Sequence, residues 1–443
     1  MKKWSRVVPM LLLSLSLLAT GCQNSSSTQT GSESQNQGNE NKEFTLEWMA
    51  HPNYSLSASD VPRAEYLKGV VEEFEKENPS VNIKSSTLAS TNSDESMAKL
   101  YEQASSGRAP DMAMIDGYMI DRFKDYLQPL DTYLEKAGIK EEDLFPFVQD
   151  VVKGEDGKIY ALYFSTDVRV MFYRKDLIPN PPKTFDELLK IGEQVKSQGF
   201  DALLLPGGRG EGAMTTSLWP QFWSQGGELV DEQGNPNFGE GDNKTKMLNV
   251  FNFYKQAIAS EVVPKRVSSY TRENDMNGEV STGKVAMFFG GNWQVENMKQ
   301  ILPKEEFEKW AIAPIPTSNA NDKALTTAGG WSFGVFTDDP EKQEAAVNFL
   351  LKAYFGDEGM AKWNSIAGSL PTRKSVYDSE HYQRNEFSPT FKEYLDTMAK
   401  VRPSAGSYGK VTQALQVALS EVTSGTKTPE AALDEAWIVV NKK

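Results

Sequence analysis

The 443-residue sequence carries 47 Lys and Arg against 61 Asp and Glu, a formal net charge of −14. That balance excludes nucleic acid and anionic lipid as ligands of the folded part. One cysteine and two histidines exclude an intramolecular disulfide and leave little from which to build a Cys/His metal site.

Lys2, Lys3 and Arg6 open the chain, an apolar stretch from Val7 to Leu18 follows, and Ala19-Thr20-Gly21-Cys22 closes it. Positive, apolar, then small residues predict a secretory signal peptide over 1–21, with an apolar part too short for a permanent membrane span. Its end resembles a bacterial lipobox, which makes Cys22 the lipidation site, although Ala19 stands where leucine is usual. Removing 1–21 takes away Lys2, Lys3 and Arg6 and no acidic residue, so −14 becomes −17. Residues 22–42 hold the lipidated Cys and a tether rich in Ser, Gln, Asn, Gly and Thr. Without large apolar side chains it cannot offset its ordering entropy, and a coil of about 20 residues reaches roughly 25 Å.

From Phe44 the pattern becomes globular. Phe44–Met49 alternates as a strand; Leu67, Val70, Val71 and Phe74 recur at helical spacing until Pro79; Val81–Ile83 is a second strand; Met97–Ser106 is a second helix; and Asp111–Ile115 is a third strand. Strand, helix, strand, helix, strand predicts a parallel sheet with crossover helices. Further along, Thr184 with Glu187 forms a capping box, and Asp339-Pro340 and Thr428-Pro429 each pair an N-cap with proline at the first helical position.

Several motifs suggest chemistry. Gly330-Trp331-Ser332-Phe333-Gly334 fits G-x-S-x-G, the nucleophile elbow of serine hydrolases. The elbow needs a helix directly after the serine, and Val335-Phe336-Thr337 reads as continuing strand. Gly207-Gly208-Arg209-Gly210-Glu211-Gly212 fits no phosphate-binding pattern and is expected to be a flexible loop. His51 and His381 lie far apart, which argues against bound metal, and no pair of carboxylates stands out as a glycosidase acid and nucleophile. No cofactor is expected and no catalytic residue is assigned.

Tryptophan placement is the informative feature. Trp48, Trp219, Trp223, Trp293 and Trp331 fall at strand ends or in loops, and the last two follow Gly290-Gly291-Asn292 and Gly329-Gly330. Glycine beside a tryptophan permits close backbone approach and can free the ring to face a cleft. A flat ring suits the C–H face of a pyranose, and neighbouring Asp, Asn and Arg can satisfy its hydroxyls.

The chain resembles the extracellular solute-binding proteins of ABC importers, in the group that includes maltose-binding protein. The residues that carry the likeness are Lys158–Leu162 with Phe172–Leu177 and Pro182–Leu188, then Gly283–Met287 with Gly290 and Trp293, then Gly368–Arg373, then Gly425–Leu433. Arg174 and Phe185 depart from the family's usual residues. The resemblance implies an α/β, two-lobed periplasmic-binding-protein-like fold of type II, with the ligand cleft between lobes joined by hinge crossings. Lobe 1 is expected over 43–163 with about 322–372, and lobe 2 over 164–321 with about 373–443. The crossings are expected near Tyr163–Thr166, between Pro316 and Thr327, and between Pro371 and Pro403. Carried over residue by residue, the substrate-binding set is Trp48, His51, Asn53, Asp116, Asp167, Arg169, Trp219, Trp223, Asn292, Trp293, Trp331 and Arg373, with Arg373 also readable as a hinge brace.

The function so implied is capture of a carbohydrate, an oligosaccharide by the tryptophan count, and its delivery to ABC permease subunits in the membrane. The protein is expected to be a monomer, held by its lipid on the extracellular face of a Gram-positive membrane. Two alternatives stand beside this: a sensory lipoprotein feeding a receptor, and a lipid-anchored hydrolase using Ser332.

Overall fold

A computed structural model describes residues 43–90 and 93–442. Cys22, the signal peptide and the tether lie outside the described residues. The strands, in chain order, are β1 (Phe44–Ala50), β2 (Val81–Thr87), β3 (Met112–Asp116), β4 (Leu162–Thr166), β5 (Arg169–Arg174), β6 (Asp201–Leu204), β7 (Val285–Gly291), β8 (Trp310–Ala313), β9 (Thr326–Thr327), β10 (Gly330–Val335) and β11 (Ala399–Lys400). They form a five-stranded sheet of order β2-β1-β3-β10-β4, a four-stranded sheet of order β6-β7-β5-β8, and the pair β11-β9.

The first sheet is mixed, whereas the sequence pattern implied a parallel one. β1 pairs parallel with β2 and β3, joined by the expected crossover helices Val61–Glu77 and Ser93–Ser105. β10, arriving from a distant part of the chain, inserts antiparallel between β3 and β4. The second sheet is likewise mixed, with β6-β7 parallel and β5 antiparallel to β7 and β8. Each sheet anchors one lobe.

Local signals set the helix ends. Asp60 accepts from Arg63 N at 3.1 Å, Asp339 from Glu341 N at 2.9 Å, and Thr428 from Ala431 N at 3.2 Å. At Phe185–Ser197, Thr184 accepts from Glu187 N at 3.3 Å, while Glu187 reaches one residue further back, to Lys183 N at 2.7 Å. Side chains thereby satisfy N–H groups that a helix start leaves unpaired.

Three segments pass between the sheets. The first change falls at Asp167-Val168, later than Tyr163–Thr166, because those residues are strand β4 paired to β10. The second runs from β8 to β10 through β9, and the third passes through β11. The two short strands pair parallel, Ala399 with Thr326 and Lys400 with Thr327, so two crossings brace each other. Arg169 N donates to Thr326 Oγ1 at 2.8 Å, and that hydroxyl donates to Arg169 O at 2.8 Å, tying in the remaining crossing.

Residues 373–398 keep company with the first lobe for longer than the boundary near 373 implied. Arg373 pairs with Asp143, the Tyr377 ring meets Phe145, and helix Ser388–Thr397 packs on helix Pro146–Val152. The same stretch also touches the second sheet's helices through Phe387 on Phe307 and through the Lys299–Glu386 ion pair.

Candidate functional site

A cleft of about 860 Å³ opens between the two sheets, at the strand ends where the crossings meet. Ligands favour such carboxyl-end crevices. From the first sheet come Asp116, the last residue of β3, Ser165 and Thr166 at the end of β4, and Gly330-Trp331 at the start of β10. From the second lobe come Arg169 at the start of β5, Glu211, Glu273 and Trp293.

Two tryptophans are presented differently. Trp331 rests on His51 and Tyr54, with ring centroids 5.0 and 5.9 Å away. Tyr54 is backed in turn by Trp363 at 5.2 Å. Burial pushes the Tyr54 hydroxyl up to about 12, so it stays protonated and able to donate. Gly330 precedes Trp331 at φ +137°, where an added Cβ would collide with the Ser165 carbonyl. Only glycine fits this close approach of β10 to β4. Trp293 follows β7 and folds back over Gly291, whose missing Cβ leaves the space the indole occupies. Its Nε1 donates to Asn274 Oδ1 at 3.3 Å, and the Arg169 guanidinium carbon lies 5.0 Å from its ring centroid.

Charges around these rings are paired with one another. Asp167 accepts from Gly329 N at 2.8 Å and from Arg169, which also reaches Thr327 O at 3.4 Å and lies 3.8 Å from Glu273. Glu273 accepts from the Thr216 hydroxyl. Burial pushes its carboxyl above the ordinary value, against the opposing pull of Arg169 and Thr216. The buried side-chain atoms without a hydrogen-bond partner include Arg169 Nε, Arg402 Nε and Thr327 Oγ1, all on cleft-lining residues. Compensated charge beside half-exposed rings is an environment for a neutral ligand that has apolar faces and many hydroxyls.

Of the residues singled out from sequence, the fold brings Asp116, Asp167, Arg169, Trp293 and Trp331 to one cleft. His51 is buried directly beneath Trp331 and supports it rather than lining the wall. Asn53 is exposed, its N–H donating to His51 Nδ1 at 3.2 Å, and its side chain is not on the wall. Three tryptophans sit elsewhere. Trp48 is wholly buried against Phe349 and Tyr354 in the first lobe's core. Trp219 is wholly buried too, donating to the Tyr408 hydroxyl at 3.1 Å, with Trp223 stacked on it at 6.2 Å and also buried. Arg373 is buried in ion pairs with Asp143 at 2.8 Å and Asp357 at 2.6 Å, as a brace and away from the cleft. Asn292 lies behind the site: it accepts from Val168 N and donates to Gly368 O, both at 3.1 Å.

Two motif readings are also decided. Ser332 lies inside β10, buried, with its hydroxyl donating to Ile115 O at 3.1 Å, so Gly330–Gly334 forms no nucleophile elbow. The glycine-rich segment 207–212 is no loose loop. It lies flat on the backbone of 267–272, with Gly208 N donating to Tyr270 O at 2.8 Å, and Cβ atoms at Gly208 and Gly212 would fall 2.8 Å from that backbone. Its glycines bring Glu211 and Gly212 to the cleft. Tyr54, Arg63, Glu211, Glu273 and Arg402 also line the cleft and were not singled out. Tyr54 had a signal, one residue beyond Asn53, and Glu211 lies within the glycine-rich motif Gly207–Gly212; Arg63, Glu273 and Arg402 had none.

Comparison with known proteins fits this geometry. The family model for bacterial extracellular solute-binding proteins matches residues 69–390. The chain belongs to that family. Among relatives of this solute-binding protein, the maltodextrin-binding protein MdxE of Bacillus subtilis is 22% identical over 398 residues, covering 85% of this chain and 87% of its own. An arabinooligosaccharide-binding protein of Halalkalibacterium halodurans is 24% identical over 359 residues, covering 75% of this chain and 76% of its own. In fold, the solute-binding protein is similar to the sugar-binding protein MalE from Xanthomonas citri, at TM-score 0.71 and 21% identity, over 90% of this chain and 96% of that one. The cyclic alpha-maltosyl-1,6-maltose binding protein from Arthrobacter globiformis gives TM-score 0.68 at 21% identity, over 90% and 98%. Among the described residues no group of His, Cys, Asp and Glu is arranged to hold a metal ion, and no helix is long and apolar enough to cross a membrane.

Proposed function

We infer that this protein is the substrate-binding lipoprotein of an ABC importer, capturing an oligosaccharide and turning over no substrate. The observation that carries the inference is Trp293 and Trp331 in one cleft beside Asp116, Asp167 and Arg169. Trp331 belongs to the first sheet and Trp293 follows the second, so a ligand touching both rings bridges the lobes and favours closure through its differential contacts. The names of the maltodextrin- and arabinooligosaccharide-binding relatives support the ligand class. The lobes follow the sheets: 43–166 with 328–398, and 168–326 with 401–443. Cys22 carries the lipid, 23–42 is the tether, and the closed monomer docks on its permease outside a Gram-positive cell.

The test is a thermal-shift and calorimetry screen against a panel of malto-, xylo-, arabino- and galacto-oligosaccharides. A ligand that binds only the folded protein stabilises it by about 2.7 kcal/mol at a hundred times its Kd. The expected result is that one class binds and that Trp293→Ala weakens it. Binding of amino acids or peptides in place of any sugar overturns the reading. Incorporation of a labelled fatty acid, abolished by Cys22→Ala, is expected for the anchor.

A further inference from the structure

Arg402 lies two residues past β11, on the third crossing, and its guanidinium reaches both lobes at once. Nη2 donates to Asp116 Oδ1 at 3.1 Å, at the end of β3 in the first sheet. Nη1 donates to Glu211 Oε1 at 3.4 Å, on the second lobe. The guanidinium carbon sits 4.0 Å above the Tyr118 ring, which follows β3 and contacts the Tyr408 ring at 5.5 Å. Glu211 is fixed from its own side by the Tyr408 hydroxyl, by Thr412 Oγ1 at 2.5 Å and by Gln416 Nε2 at 3.3 Å. Tyr408 is in turn held by Trp219 Nε1 at 3.1 Å. The side chains of Arg402 and Asp116 are 12% and 6% exposed, so water screens this pair poorly.

A planar guanidinium can hold two carboxylates in a fixed relation, whereas a lysine ammonium acts as a compact point charge. Separating Asp116 from Glu211 by rotation of the lobes breaks one of the two contacts and leaves a buried charge short of its partner, a costly change.

We propose that Arg402 is a positioning residue for solute capture: a clasp on the third crossing that sets the resting angle between the lobes and biases the cleft toward its binding-competent form. Affinity falls by the fraction of molecules outside that form, so loss of the clasp weakens long and short ligands in equal proportion. The proposal rests on the solute-capture reading, and its primary readout needs no ligand.

Spin labels on cysteines introduced at the exposed positions Glu72 and Lys255 of the full-length protein report the lobe separation by electron–electron double resonance. Arg402→Gln is expected to lengthen and broaden the distance distribution in the absence of sugar, and Arg402→Lys to fall between it and the parent. Asp116→Asn is expected to reproduce the shift. Should Arg402→Gln fail to fold, Arg402→Lys and Asp116→Asn carry the comparison. In calorimetry with whichever oligosaccharide the screen selects, Arg402→Gln is expected to lose at least tenfold in affinity, and long and short sugars of that class are expected to lose in equal proportion. Unchanged distances in the folded variants overturn the clasp, whatever happens to affinity. A panel with no binding sugar overturns the functional reading and leaves the distance test standing.

Discussion

The Arg169 guanidinium covers one face of the Trp293 indole, its carbon 5.0 Å from the ring centroid, while the same side chain pairs with Asp167 on the first crossing. The ring is thus held by a cation on the protein side, and its remaining exposed surface lines the cleft. Replacing Trp293 with Ala removes the stacking surface, together with its contact to Arg169 and its hydrogen bond to Asn274, and is expected to weaken oligosaccharide binding at least tenfold, about 1.4 kcal/mol, in a protein that still folds. Arg169→Met strands a poorly exposed carboxylate, so it is expected also to lose about 3 kcal/mol of stability. Calorimetry on both variants, with urea unfolding alongside, separates the two effects; equal affinity in folded Trp293→Ala denies the ring its role.

Much of the fold could be read in the sequence, because the signals are local. Alternation at Phe44–Met49, the helical spacing of Leu67 to Phe74, and the caps at Thr184, Asp339 and Thr428 each lie within a few residues of what they specify. The antiparallel insertion of β10 and the pairing of β9 with β11 do not, since their partners lie far away along the chain. The site divided along the same line. Trp293 and Trp331 were found through adjacent glycines that the ring and strand geometry require. Trp48 lies inside β1, and Trp219 and Trp223 in the short helix Trp219–Ser224, where a core position and a cleft position look alike in sequence. Glu211 and Arg402 are 191 residues apart and meet only through the fold.

Gly330 is a sharp test of how Trp331 is delivered. At φ +137° a side chain is strained, and its Cβ would meet the carbonyl of Ser165 as well. Gly330→Ala is expected to cost about 3 kcal/mol in chemical denaturation. It is also expected to weaken sugar binding, because β10 must shift away from β4 and carry the indole with it. Alanine tolerated within about 0.5 kcal/mol would show that β10 does not press on β4 here.

Glu273 gives the cleft a pH signature. Its carboxyl is raised from 4.5 by burial, so the folded protein holds this proton more tightly than the unfolded chain. Its stabilising contribution is therefore complete below the ordinary carboxylate value and is lost as pH rises through the raised one. Glu273→Gln keeps the shape and removes the titration. The variant's stability relative to the parent is expected to improve as pH rises above the ordinary carboxylate value of 4.5. Urea unfolding curves at several pH values check this, and parallel pH dependences in the two proteins would contradict it.

Asn292 pins the back of the hinge. Its Oδ1 accepts from Val168 N on the first crossing and its Nδ2 donates to Gly368 O, where the first lobe's helix Asp357–Ala367 ends. One amide therefore ties the end of β7 to a crossing and to the opposite lobe. Val168 is wholly buried, so Asn292→Ala leaves its N–H without this side-chain acceptor; Asn292 N in turn donates to Val168 O at 3.1 Å and cannot substitute. An unsatisfied buried donor costs about 1–3 kcal/mol. Part of that loss is expected as reduced global stability and part as faster amide exchange confined to 167–169 and 368–370, the backbone that the side chain bridges. Asn292→Asp supplies the acceptor and lacks the donor, so it is expected to restore protection at Val168 and leave the contact to Gly368 broken. Hydrogen exchange resolved to these peptides decides it: if Asn292→Asp and Asn292→Ala loosen both segments equally, the two hydrogen bonds do not act separately and the amide is ordinary packing.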